Sequence, residues 1–177
     1  RLQKEEEISK EKAEVEFSTF AELKEIINNA GNESIIAIYT GTEPLVIEES
    51  ITMPANMDLQ VPNAEVIIPK DVKVTALTYS NDFFANKLVV KGTIELAGAY
   101  LYVYESLNVE GKIVNGGYIY LFSGATASGT ENIEYVTENN RLIWFCEACN
   151  TAELKEVIAV ANKNINQANW RYSVDLV

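Results

Sequence analysis

The sequence predicts an all-β solenoid, a chain wound into successive coils of three short parallel strands, and three observations predict it. The first is a repeat of roughly 18 to 19 residues between Leu88 and Gly124, too short for a helix pair and suited to one coil of strands. The second is a set of apolar dyads split by one residue. They run Leu88/Val90, Ile94/Leu96 and Leu101/Val103, then Leu107/Val109, Ile113 with Asn115, and Ile119/Leu121. Alternation places both members of a dyad on one face of a strand. The third is Asn or Gly two residues after a dyad, in Val61-Pro-Asn63, Val90-Lys-Gly92 and Val109-Glu-Gly111. These residue types accept positive φ most cheaply, which predicts one left-handed corner repeated at one vertex.

Taken in order, residues 1–16 are dense in Glu and Lys and read as a charged linker or helical stub. Thr19-Phe-Ala-Glu22 is a capping box for a helix running from Ala21 to about Asn29, with Phe20, Leu23, Ile26 and Ile27 on one stripe and Gly31 as the stop. A helix at that place covers the apolar end of the first coil. The β-helix domain then occupies 17–149. Its earlier dyads are Ile36/Ile38, Leu45/Ile47, Ile51/Met53, Leu59/Val61, Val66/Ile68 and Val72/Val74, with Leu59, Leu88 and Leu107 expected to lie above one another. Pro44, Pro54, Pro62 and Pro69 stand at strand ends, where a missing ladder donor matters least.

Ala76 to Lys87 breaks the repeat and reads as an insertion: either a loop on a binding face, or a flap burying Tyr79, Phe83 and Phe84 against the coil. Ile133 to Val136 and Leu142 to Phe145 form a last, irregular coil. The segment 150–177 then nearly restates the start. Asn150-Thr-Ala-Glu-Leu-Lys-Glu-Val-Ile158 copies Thr19-Phe-Ala-Glu-Leu-Lys-Glu-Ile-Ile27, and Arg171 to Val177 follows as a strand. A C-terminal helix and strand therefore either cap the far end or open a second unit of roughly 130 residues.

Of 177 residues, 47% are hydrophobic, so the chain folds; its formal net charge of −12 repels nucleic acid and anionic membrane. The acidity suits a protein kept soluble outside a cell. No apolar run is long enough to span a membrane as a helix. Arg1 is no initiator, which is the expectation for a mature or excised piece of a longer chain. There is no histidine, and Cys146 and Cys149 lack the second pair that zinc would need. The two thiols are either a redox pair ahead of a helix or two small residues at a strand-to-helix corner. No metal or cofactor is implied.

The opening helix of the Ala-Glu-Leu-Lys-Glu-Ile-Ile kind, the Ile-Thr-Met-Pro step and the Val-x-Gly corners resemble the pectin-lyase-like superfamily. The likeness is to the tandem modules of bacterial surface or secreted proteins, and it covers about Phe17 to Gly124. It implies a right-handed single-stranded parallel β-helix, a hand that the crossover rule for parallel strands also favours. Enzymes of that superfamily are polysaccharide lyases and glycosidases built on clustered acids. Here Asp58, Asp71, Asp82 and Asp175 are scattered in sequence, and no pair is evident.

The candidate site lies elsewhere. If Leu101, Val103, Ile119 and Leu121 point inward, then Tyr100, Tyr102, Tyr104, Tyr118, Tyr120 and Phe122 point outward. Coils about 4.8 Å apart would stack them as three pairs on one face, a surface for sugar rings, another protein or a second copy of the chain. The alternative is that another aromatic segment covers them as a second small core. The reading is a non-catalytic extracellular scaffold for adhesion or glycan contact, with a carbohydrate-active enzyme as the other possibility.

Overall fold

In a computed structural model, which describes residues 12–122, 124–146, 155 and 172–176, the chain is a parallel β-solenoid of about seven turns. Strand β1 (Ala13–Phe17) leads into helix α1 (Phe20–Asn29). There follow β2 (Ile35–Tyr39), β3 (Leu45–Val46), β4 (Ile51–Met53), β5 (Met57–Ile68), β6 (Lys73–Ala76), β7 (Asp82–Val90), β8 (Thr93–Leu96) and β9 (Tyr100–Val109). The chain continues through β10 (Lys112–Asn115), β11 (Tyr118–Phe122), β12 (Thr126–Ser128), β13 (Ile133–Tyr135), β14 (Arg141–Cys146) and β15 (Tyr172–Leu176). A first sheet runs β1-β2-β5-β7-β9-β11-β14-β15, with β3 and β12 beside it; a second runs β13-β10-β8-β6-β4. In the middle coils two of the three expected strands fuse into one long strand bent by a bulge, at Val61/Glu65 in β5 and Ala85/Lys87 in β7.

Apolar columns fill the interior. Leu59, Phe83, Leu101, Ile119 and Leu142 lie in register, as do Val66, Leu88 and Leu107, and Ile51, Val74, Ile94, Ile113 and Ile133. All of them are buried. Each aliphatic of this size stabilises the fold by roughly 1.5–3 kcal/mol relative to exposure, which offsets the entropy of ordering so many short strands.

The segment 76–87 is a coil and no insertion. Phe83 and Ala85 form its inward dyad, Phe84 faces outward, and Tyr79 is 80% exposed. Leu59 accordingly stacks on Phe83, while Leu88 and Leu107 stack on Val66. The period was broken by the corner that precedes β7. There Asn81, wholly buried, accepts from the Thr78 N–H (3.1 Å) and donates to the carbonyls of Pro54 and Met57 in the coil before (both 2.7 Å). Thr137 and Asn140 repeat the device before β14, with Asn140 donating to the Gly117 carbonyl. Polar side chains that close a turn and staple two coils do not register as hydrophobic period.

Other expectations shift in detail. Ile35, Ala37 and Tyr39 point inward and Ile36 and Ile38 outward, because an unbroken apolar run leaves the face undecided by period alone. The sixth dyad is Val74/Ala76, with Val72 only half-buried. The charged linker ends earlier than Glu16, since β1 begins at Ala13 and pairs with β2. Glu22 does reach back, but to the N–H of Ser18, while Thr19 accepts from the Glu22 N–H. Asn63, Gly92 and Gly111 do not take positive φ. A Cβ on Gly92 would lie 2.1 Å from the Val72 carbonyl oxygen, and one on Gly111 2.0 Å from that of Gly92. Close approach of coil to coil, and not a left-handed turn, is what demands glycine at this vertex.

At the far end β14 pairs in parallel with β15, as β1 pairs with β2. The strand-to-strand relation thus recurs where the sequence recurs. Of the expected C-terminal helix only Lys155 lies among the described residues, and its backbone is helical.

Candidate functional site: an aromatic outer face

The outer face of the first sheet carries the six ring-bearing residues that alternation placed outward. Tyr100 sits beside Tyr118 with ring centroids 5.4 Å apart and edge-on at 82°. Tyr102 stacks on Tyr120 at 5.1 Å, and Tyr104 on Phe122 at 4.3 Å, each pair within 20° of parallel. A seventh ring extends the array: Phe84 stacks on Tyr102 at 4.6 Å. The sequence pattern does not place Phe84 on this face, because the period breaks ahead of its strand; the dyad Phe83/Ala85 is the signal in the sequence that points to it.

Stacking has a consequence for contact. Rings that lie face to face along a column hide their faces against one another and turn edges outward. Phe84 and Tyr104 are the first rings of their columns, so each keeps one face turned toward the preceding coil. Tyr104 is the most exposed of the set at 42%. Burial among the neighbouring rings raises the Tyr102 phenol well above its ordinary range, with the charge of Asp82 adding to it, and burial likewise raises Tyr104.

Two aspartates that are far apart in sequence become neighbours at the edge of this face, against the expectation that no aspartates pair. Asp58 accepts from the Asp82 backbone N–H at 3.0 Å and from Lys12 Nζ at 2.9 Å. Asp82 is neighbour to Tyr100 in the next strand. Burial, and then the adjacent Asp58 charge, push the Asp82 carboxyl up to about 6, with Lys12 opposing. A carboxyl poised there could exchange a proton near neutrality. Asp58 is already committed to its two donors, so it is a structural clasp that ties Lys12 to the coil.

Among the described residues no group of three or more His, Cys, Asp or Glu is placed to hold a metal ion. Cys146 closes β14, but its side chain and the whole of Cys149 lie outside the described residues, and with them the thiol-pair reading. Among the described residues no helix is long and apolar enough to cross a membrane. No protein-family model matches the chain, and neither the curated proteins nor the solved structures compared with it contain a similar one.

Proposed function

We propose that this chain is a non-catalytic β-helix module of the pectin-lyase-like kind from a bacterial surface or secreted protein. On this reading it is an extracellular scaffold whose outer aromatic face makes adhesive contact with glycan. One observation carries the reading: seven aromatic rings gathered on the outer side of one sheet, where the core has no need of them. The acidity of the chain, −12 overall, keeps such a face in solution. A glycan array probed with the full chain tests it. Retention of a defined set of oligosaccharides supports the reading, and a folded chain that retains none overturns it.

A second reading follows from the Asp58–Asp82 contact. With the Asp82 carboxyl raised to about 6, a carbohydrate-active enzyme would have a general acid beside the aromatic face. Release of reducing ends or unsaturated products from a polysaccharide panel, abolished by Asp82→Asn, would establish this. Intact polysaccharide after long incubation would dismiss it.

A further inference from the structure

The bend of the long strands leaves a recess of about 430 Å³ where the two face-to-face aromatic columns begin, lined by Gln60, Val61, Pro62, Phe84, Asn86 and Tyr104. Phe84 ends one column against Tyr102, and Tyr104 ends the other against Phe122. Their rings lie 6.5 Å apart and 19° from parallel, so two aromatic faces of similar tilt open on one space. Gln60 is the register neighbour of Phe84 on the coil before, which brings a side-chain amide opposite the ring. Asn86 donates to Glu105 Oε2 at 2.9 Å, an arrangement that leaves its amide oxygen for another donor.

We propose that this recess is a binding site for one neutral sugar ring of a glycan, packed on Phe84 and Tyr104 and hydrogen-bonded by the Gln60 and Asn86 amides. The inference rests on the glycan reading above and names the place and the kind of sugar. A pyranose presents a C–H face to an aromatic ring and hydroxyls at its rim. One apolar wall with amides that both donate and accept matches that pattern. The volume suits a monosaccharide with parts of its neighbours.

Charge selects against uronic acids. None of the six lining residues is charged. The nearby charges on the same strands are mostly acidic: Glu105, answered by Lys87 at 3.5 Å, and Asp82 and Asp58, answered by Lys12. An anionic sugar in the recess would find no free cation among these residues and would meet a molecule of net charge −12.

Calorimetric titration of the full 177-residue chain with matched panels of neutral hexose oligosaccharides and oligouronates tests the proposal. A neutral oligosaccharide should bind, and no oligouronate should bind more tightly. Phe84→Ala and Gln60→Ala should each weaken it about tenfold, with Lys112→Ala on the second sheet unchanged. Gln60→Ala removes a half-exposed amide from outside the core, so its effect is readable even if Phe84→Ala disturbs the ladder. Neutral-glycan binding within twofold of wild type in both recess variants, but lost in Tyr118→Ala, would overturn the recess and leave the aromatic face standing. Preference for oligouronates would overturn the neutral ligand. Binding of neither panel would overturn the recess together with the glycan reading.

Discussion

The two sheets of this solenoid share one interior and present unlike exteriors. Inward, both are apolar columns: Leu59 through Leu142 on the first sheet, Ile51 through Ile133 on the second. Outward, the second sheet carries Thr75, Thr93 and Glu95, with ion pairs between Lys73 and Glu95 and between Lys112 and Glu134. The first carries Phe84, Tyr100, Tyr102, Tyr118 and Tyr120. Inner positions are interchangeable between the sheets because both line the same coil. The outer ones are free of that constraint, so the two sheets can differ there without altering the shared interior. Long polar side chains that pair across coils keep one face inert and wet. Stacked rings on the other leave apolar surface where a folded coil gains least from it.

That contrast can be broken at adjacent residues. Phe83→Ala empties a fully buried inward site and should cost about 3–5 kcal/mol in urea unfolding. Phe84→Ala, one residue on and facing outward, should cost only about 1 kcal/mol. Equal losses would mean that the ladder is a second core and not a contact surface. Next in size is Asn81→Ala, which removes the side-chain donor to the Met57 and Pro54 carbonyls, leaving Pro54 only the Met57 N–H, and takes the acceptor from the Thr78 N–H, at about 2–3 kcal/mol. A cost below about 0.5 kcal/mol would show that the corner is held by something else.

Asp82 gives a smaller, pH-dependent effect. Its carboxyl titrates near 6 in the fold against 3.8 ordinarily, so the folded chain holds this proton more tightly than the unfolded chain does. The stabilising contribution is complete below about 3.8 and is lost as pH rises through 6. For a half-exposed carboxyl, screening reduces it to on the order of 1 kcal/mol. Asp82→Asn should therefore be more stable than wild type at pH 7 and should lack the decline between pH 4 and 6. An unaltered pH profile would show that Asp82 is not the group responsible. Smallest of all, Lys73→Ala and Lys112→Ala should change stability by less than about 0.5 kcal/mol.

The regular coils were legible in the sequence because dyads such as Ile94/Leu96 alternate cleanly with polar neighbours. Where alternation failed, so did the reading. Ile35 to Ile38 offers apolar residues to both faces, and Phe83-Phe84 sets two rings side by side whose opposite destinations only the register decides. The glycines were located correctly but for the wrong reason, since a missing Cβ against a carbonyl leaves the same mark in sequence as a left-handed turn. The six outward rings followed from the alternation of Leu101, Val103, Ile119 and Leu121. The recess did not, because it is made by a bulge in β5 and β7 that brings Gln60, Phe84 and Tyr104 together across three coils.

The most direct test of the unlike faces is amide chemical-shift mapping of the full chain as a neutral hexose oligosaccharide is added. Shifts gathered around Gln60, Phe84, Asn86 and Tyr104, with β6, β8 and β10 still, are the result this account predicts. Shifts centred on those second-sheet strands, or none at all at saturating sugar, would contradict it.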